Sequence, residues 1–276
     1  MENILSIKAV SKSFGGKKVL DGLSFDVPRN SVYGFVGKNG AGKTTTMKLI
    51  LGLYQPDQGE IFINGKKVKY GQNDTNKYIG FLPDVPEFYG YMKPAEYLRL
   101  CADITNISKT EVEERIKEML ALVGLEKDNK RINGFSRGMK QRLGIAQALL
   151  SKPQLLICDE PTSALDPMGR KEILDILKAV SGQTTVIFST HILSDVERIC
   201  DNVGILNNGS LAWQGNIEQV REMGGNRCFA VEFNSTEDMN RALEAIRSQN
   251  IDIASLEMKD SNLEKLFMEV IGHETA

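Results

Sequence analysis

One glycine-rich segment constrains the fold of this chain more than any other. In the stretch GFVGKNGAGKTTTMKLILGL, the positions Gly37, Gly42, Lys43 and Thr44 match the pattern G-x-x-x-x-G-K-[ST]. An apolar strand pattern precedes this loop and an amphipathic helix pattern follows it, which is the context that the pattern requires. The segment therefore predicts an α/β fold in which a strand leads into a helix through a phosphate-binding loop.

The residue types in this loop suit a nucleoside triphosphate. Glycines let the backbone curve so that its N–H groups converge on phosphate oxygens. Lys43 adds a positive charge at the β- and γ-phosphates, and the Thr44 hydroxyl is a ligand for Mg²⁺. The alternative, a glycine turn that leads into a helix by chance, is disfavoured by the flanking strand and helix. The residues predicted to contact the nucleotide here are Gly37, Lys38, Asn39, Gly40, Ala41, Gly42, Lys43, Thr44 and Thr45.

A second chemical feature follows the apolar run LLIC, which predicts a parallel strand buried on both faces. Asp159 and Glu160 come directly after this run, where α/β sheets place their ligand crevice. We expect Asp159 to hold Mg²⁺ and Glu160 to polarise the attacking water in phosphoryl transfer. The alternative is that both acids only cap the turn before Pro161.

The run TTVIFS predicts another buried strand, and the polar residues Ser189, Thr190 and His191 lie at its end. A neutral imidazole at the same sheet edge as Asp159 and Glu160 can bond the γ-phosphate or the attacking water. The alternative is a structural histidine. The predicted catalytic residues are Lys43, Glu160 and His191.

Composition limits the function classes. The 276 residues carry 34 basic and 36 acidic side chains, a formal net charge of -2, which argues against a nucleic-acid partner. The four cysteines form no CxxC pair and indicate a reducing compartment. The opening MENILSIKAV lacks the features of a signal peptide, and no apolar run reaches the ~20 residues of a membrane span. We expect a cytoplasmic chain that does not cross a membrane unaided.

The order of patterns along the chain predicts its organisation. The N-terminal part mixes antiparallel hairpins with the strand that precedes the loop, and a helical segment covers about 93–150. From about 225 the pattern becomes strand–helix–strand–helix. The expected domains are 1–224 and a small C-terminal accessory αβ domain, 225–276.

Four separated segments, taken in order, resemble the ATPases of ATP-binding cassette (ABC) transporters: GKNGAGKTT, FSRGMKQRLGIAQALL, LLICDEPTSALD and STHILSDVERICDNVGILNNGSLAWQG. The resemblance covers residue 4 to about residue 222. It implies a P-loop NTPase cassette, with a mixed sheet, an antiparallel β subdomain and an inserted helical subdomain, here followed by a small α+β appendage. It also implies an ATP-hydrolysing motor that works with a separate transmembrane permease at the inner face of the plasma membrane.

The resemblance implies further site residues. Phe14 matches the aromatic residue that stacks on adenine, although a core phenylalanine is the local alternative. Ser136 and Gly138 match the signature motif, which closes on ATP held by a second copy packed head to tail; a surface helix cap is the alternative. His191 matches the switch histidine. Asp84 stands where the family usually has a glutamine, and we expect it to be a metal ligand.

The signature motif differs from its common family form at two positions, and two other function classes stay open. The motif FSRGMKQ has Arg137 for the first glycine of the common form and Met139 for its glutamine. The LP(acid)xP form and the tail SNLEKLFMEVIG resemble the subgroup that exports bacitracin, lantibiotics and drugs. The alternative functions are a soluble P-loop phosphotransferase, such as a kinase, and a non-transport ABC ATPase.

The loop PEFYGYM places Phe88, Tyr89 and Tyr91 either in the core or on a surface that docks the membrane subunit.

Overall fold

The computed structural model describes residues 2–72, 74–105, 107, 108, 110–223, 233 and 235–248, with the side chains of 221–223 and 247 excepted. The chain divides into two compact units, Met1–Gln219 and Val220–Ala276. Within the described ranges, no helix has the length and apolarity needed to cross a lipid bilayer.

A six-stranded sheet forms the centre of the first unit, in the order β10-β9-β3-β8-β7-β6. Its neighbours pair in parallel except β9 and β10, which form an antiparallel hairpin. All residues of β3, β7 and β8 are buried, which explains the apolar runs in these three strands. The strands are β3 (Val32–Val36), β6 (Ile79–Leu82), β7 (Leu155–Asp159), β8 (Thr185–Thr190), β9 (Asn202–Asn207) and β10 (Ser210–Asn216).

A second, antiparallel sheet has the order β2-β1-β4-β5. Its strands are β1 (Asn3–Phe14), β2 (Lys17–Pro28), β4 (Gln58–Ile63) and β5 (Lys66–Lys67). The turn between β4 and β5 is Asn64-Gly65, with φ of +49° and +72°, the left-handed pair that a tight hairpin requires. An Asn-Gly pair between two strand patterns is the sequence signal for this type of hairpin.

The described residues form eight α-helices: α1 (Lys43–Ile50), α2 (Pro94–Ile104), α3 (Val112–Leu122), α4 (Arg137–Leu149), α5 (Pro167–Val180), α6 (Leu193–Ile199), α7 (Ile217–Met223) and, in the second unit, α8 (Thr236–Ser248). Helices α2 to α4 occupy the segment predicted to be helical. Helix α4 packs closely on β6, because a Cβ at Gly144 would lie 2.5 Å from Leu82 Cδ1.

The main core contains residues of both sheets and of α1, including Ile7, Phe25, Tyr33 and Met47. The rings of Phe25 and Tyr33 stack at a centroid distance of 5.6 Å. Because Met47, Leu49 and Ile50 of α1 lie in this core, the helix is fixed relative to the end of β3. The first turn of α1 is part of the predicted phosphate-binding loop.

The predicted C-terminal accessory domain lies mostly outside the described residues. Helix α8 corresponds to the predicted helix TEDMNRALEAIRSQ. The segments RCFAVEF, IDIASLEM and SNLEKLFMEVIG fall outside the described residues, apart from Phe233. The accessory domain and its boundary at 224/225 therefore stay predictions.

Candidate nucleotide site

The carboxyl ends of three parallel strands bring the predicted site residues to one sheet edge. Val36 pairs with Thr190 across β3 and β8, and Asp159 pairs with Ser189 across β7 and β8. The loop after β3, the acids after β7 and the histidine after β8 consequently lie next to one another. This is the position where open α/β sheets bind ligands.

The glycine-rich loop has the backbone that its sequence predicts. Gly40 and Gly42 have φ of +81° and +112°, in the left-handed region that favours glycine. The Lys43 Nζ atom donates to the carbonyl oxygens of Gly37, at 2.7 Å, and Lys38, at 3.3 Å. Helix α1 has no side-chain cap and no acidic residue in its first turn, so its positive end is available to an anion.

A cleft of about 360 Å³ opens at this sheet edge. Its volume lies within the range of ligand pockets, about 300–1,000 Å³. The residues that line it are Val19, Asn39, Gly40, Gly42, Lys43, Thr44, Thr45, Asp84, Glu160, Ser163 and His191. Six of the nine loop residues predicted to bind nucleotide therefore line one cleft together with the predicted catalytic residues Glu160 and His191.

Glu160 lies between the two other predicted catalytic residues. Its Oε1 atom is 3.1 Å from Lys43 Nζ, an ion-pair distance, although this contact lacks hydrogen-bond geometry. Its Oε2 atom is 2.9 Å from His191 Nδ1. The side chain is only 13% exposed, and the backbone has φ of +47°, an unusual value for a residue with a side chain. The surrounding structure thus holds this carboxylate in one place, beside a lysine and an imidazole.

Asp159 is buried and is held by a residue to which the sequence analysis gave no role. Ser189 Oγ donates a hydrogen bond of 2.5 Å to Asp159 Oδ1 and accepts one of 3.0 Å from the Glu160 N–H. One hydroxyl on β8 therefore fixes the Asp159 carboxylate and the backbone of Glu160. The only signal for this in the sequence was the polar residue at the end of an apolar strand.

Asp84 also lines the cleft, and it connects the cleft to α4. Its carboxylate is 3.3 Å from Arg137 Nη2, and its backbone carbonyl accepts a hydrogen bond of 2.6 Å from Gln141 Nε2. Burial raises the pKa of the Asp84 carboxyl above its ordinary value, Arg137 lowers it, and the charges of Asp159 and Glu160 raise it. The three carboxylates therefore concentrate negative charge at one side of the cleft.

Seven predicted site residues are not among those that line this cleft. Gly37, Lys38, Ala41 and Asp159 are close in sequence to lining residues, whereas Phe14, Ser136 and Gly138 come from other segments. Phe14 packs edge to face on Tyr54 at 5.2 Å and exposes much of its ring. Ser136 is the N-cap of α4, where its Oγ accepts a hydrogen bond from the Met139 N–H at 3.2 Å. A Cβ placed on Gly138 would find only Leu165 Cδ2, at 4.0 Å. The start of α4 is thus open around Gly138.

The aromatic loop after β6 divides between core and surface. Phe88 is half-buried and packs on Tyr97 at 5.0 Å. Tyr89 and Tyr91 are 55% and 68% exposed. The expectation of a core position is therefore wrong for the two tyrosines.

Known proteins share this architecture. The family model described as ABC transporter matches residues 20–163. The uncharacterized ABC transporter ATP-binding protein YxlF of Bacillus subtilis (strain 168) is 42% identical over 229 residues, which cover 83% of this chain and 76% of the relative. The bacitracin transport ATP-binding protein BcrA of Bacillus licheniformis is 37% identical over 270 residues, which cover 97% of this chain and 86% of the relative.

A solved structure agrees with these sequence relatives. The ATP-binding subunit of an ABC transporter superposes with a TM-score of 0.73 at 33% identity, covering 87% of this chain and 99% of that one. The family model, which matches residues 20–163, spans both the P-loop and the acids at the end of β7. The chain therefore belongs to the ABC transporter family, as one of its ATP-binding, ATP-hydrolysing subunits.

Proposed function

We propose that the protein is the motor subunit of an exporter. ATP closes two copies head to tail, hydrolysis opens them, and a separate transmembrane permease converts this motion into transport. The observation that carries the proposal is the meeting of Lys43, Glu160 and His191 in one cleft, whose lining does not include the signature residue Ser136 of the same chain. A second copy can supply that residue.

Each catalytic side chain has a role that its contacts support. Lys43 is already directed at the loop carbonyls, and an arriving phosphate competes with Glu160 for its positive charge. Glu160 polarises the attacking water, and His191 holds the Glu160 carboxylate at 2.9 Å and bonds the γ-phosphate. The loop residues from Gly37 to Thr45 supply backbone N–H groups around the phosphates.

Mg²⁺ fits the donor set of the cleft. Asp159, the Thr44 hydroxyl and Asp84 are oxygen ligands, and Mg²⁺ usually binds one or two carboxylates together with substrate phosphates. Burial, and then the charges of Asp159 and Glu160, raise the pKa of Asp84, and a cation nearby would offset this concentration of negative charge. When bound, the ion neutralises charge on the phosphates. The chain's own part is to hold Asp159 in one orientation through Ser189.

Adenine and the second copy complete the proposed site. The exposed ring of Phe14 provides a surface on which a base can stack. The open start of α4 gives a phosphate close access to the backbone at Gly138. The proposed composite site therefore contains the P-loop of one chain and Ser136 and Gly138 of the other.

Export through a permease is proposed from the relatives and from the surface. The name of BcrA assigns bacitracin transport to that relative. Because ATP-binding subunits of ABC transporters work with a membrane permease, we propose that this chain lies on the cytoplasmic face of the plasma membrane, bound to its permease. The net charge of -2 gives no reason to add a nucleic-acid partner.

The exposed tyrosines test the permease contact. Serine at both Tyr89 and Tyr91 should lower the amount of membrane subunit recovered with the tagged chain by about tenfold or more, since aromatic anchors dominate interface energy. ATP binding should not change, because neither residue lines the cleft. The measurement is co-purification after co-expression with the membrane subunit, with a fluorescent ATP analogue for binding.

Tyr70 provides the matched control. It is 59% exposed and lies after β5, away from the loop after β6. Tyr70→Ser should leave recovery at the wild-type level. Unchanged assembly of the Tyr89→Ser, Tyr91→Ser variant would show that these side chains do not anchor the permease.

A further inference from the structure

We propose that Thr162, Asp195 and Arg170 form a clamp that sets the position of Glu160 relative to His191. These three positioning residues, here called the loop clamp, are not among the residues that line the cleft. They act through the two loops that carry the catalytic side chains. The inference rests on the proposed roles of Glu160 and His191.

The loop clamp joins three segments through one carboxylate. Thr162, in the loop after β7, donates from Oγ1 to Asp195 Oδ2 at 2.6 Å. Arg170, in α5, donates from Nη2 to Asp195 Oδ1 at 2.7 Å. Asp195 lies in the first turn of α6, four residues after His191, and is 2% exposed, while Thr162 is 1% exposed. A carboxylate this deeply buried requires both partners.

The loop after β7 has a backbone that needs such support. Glu160 and Ala164 have φ of +47° and +53°, left-handed conformations that are strained for residues other than glycine. Conformations of this kind persist only where the surrounding structure over-determines them. Thr162 lies between the two strained positions in the sequence, and its hydroxyl is hydrogen-bonded to Asp195 in α6. This bond holds the middle of the strained segment.

The two loops therefore meet at two places. At the cleft, Glu160 Oε2 is 2.9 Å from His191 Nδ1. At the second place, Thr162 is hydrogen-bonded to Asp195 in α6, the helix that directly follows the loop of His191. The clamp contact is buried whereas the catalytic contact is at the solvent-facing cleft, where His191 is exposed. The buried contact thus limits how far Glu160 and His191 can separate.

Substitutions at Thr162 test the loop clamp without introducing a cavity. Valine has nearly the shape of threonine but cannot donate to Asp195, whereas serine retains the hydroxyl. Thr162→Val should lower kcat for ATP by about 10- to 100-fold, since small misplacements of catalytic groups have effects of this size. KM and the Kd for an ATP analogue should stay within about twofold, because the P-loop is not altered. Thr162→Ser should restore most of the turnover.

Thr184→Val is the matched control for the loss of a buried hydroxyl. Thr184 Oγ1 donates 2.9 Å to the carbonyl of Pro153, at the opposite end of β8 from His191. The full-length chain is used throughout, and thermal unfolding is measured beside kcat and KM. The clamp is supported if Thr162→Val loses turnover while Thr184→Val, with a similar drop in Tm, does not.

Two results would overturn the loop clamp. One is a normal kcat in Thr162→Val, and the other is an equal loss of kcat in Thr162→Val and Thr184→Val, which would indicate general destabilisation. A Glu160→Gln variant measured in parallel distinguishes failure of the proposed role of Glu160 from failure of the loop clamp. If that variant keeps normal turnover, the proposed role of Glu160 fails; if it is inactive while Thr162→Val is normal, only the loop clamp fails.

Discussion

Replacing Glu160 with glutamine should lower ATP turnover by about 10²–10⁴-fold, the usual contribution of a positioned general base. Glutamine keeps the size of the side chain, so it fits between Lys43 and His191. It cannot, however, carry the negative charge that polarises a water molecule. Turnover is measured as phosphate release at saturating ATP, and Glu114→Gln, on the exposed face of α3, is the matched control.

The same substitution should leave ATP binding intact or strengthen it. The Glu160 carboxylate is 3.1 Å from Lys43 Nζ and so competes with a phosphate for that charge. Removing the carboxylate charge frees Lys43 for the nucleotide. The Kd for a fluorescent ATP analogue should therefore not rise. Turnover at the wild-type rate in Glu160→Gln would contradict the role given to this residue.

The sequence predicted the elements of the site because their signals are local. The runs LLIC and TTVIFS are rich in apolar residues because β7 and β8 are buried on both faces. Parallel pairing then requires that Asp159 and His191 lie at the same edge as the loop after β3. Two Asn-Gly turns were equally predictable, since Asn64-Gly65 and Asn208-Gly209 both have the left-handed φ values that a tight hairpin needs.

The contacts between distant side chains could not be predicted in this way. Ser189 is 30 residues from Asp159, and Thr162 is 33 residues from Asp195, so no local pattern links either pair. Whether a buried hydroxyl donates to one carboxylate or another depends on the strand register and on side-chain rotamers, which single-sequence patterns do not specify. The acidic residue four positions after His191 was visible in SDVERIC, but nothing in the sequence indicated that it is buried.

The position of α4 raises the question of which chain its start serves. Arg137, the first residue of α4, contacts Asp84 of the same chain, and Asp84 lines the cleft. This contact brings the signature motif towards the chain's own nucleotide site. Ser136 itself is not part of that lining, and its hydroxyl caps its own helix. Action across a dimer and action within one chain therefore make different predictions, and complementation can separate them.

Two lesions are combined in a mixed dimer, with Glu160→Gln in both chains to suppress hydrolysis. One chain carries Lys43→Ala, which removes the loop's positive charge, and the other carries Ser136→Arg, whose bulk and charge block the helix start. In the head-to-tail arrangement, both lesions fall into one composite site and the other site is intact. We expect one trapped ATP per mixed dimer and little in either mutant homodimer.

The reciprocal dimer gives the opposite expectation with the same lesions. Here one chain carries both Lys43→Ala and Ser136→Arg, and its partner carries neither. If Ser136 acts on the other chain, each composite site now contains one lesion, and trapping should be lost. If Ser136 serves its own chain, the unmutated chain keeps a complete site and traps one ATP.

Comparing the two dimers separates the effect of how the substitutions are distributed between the chains from the effects of helix destabilisation and of cooperativity between the sites. Both contain one Lys43→Ala and one Ser136→Arg, so the loss of the N-cap of α4, which costs about 0.5–2 kcal/mol, affects them equally. Both dimers carry the same number of substitutions, so a loss of trapping through cooperativity between the two nucleotide sites does not distinguish them. Assembly is verified with a different tag on each chain, and trapped nucleotide is counted per dimer. Trapping in the first dimer and not in the reciprocal one supports action between chains, whereas the reverse pattern would assign the signature helix to the chain that carries it.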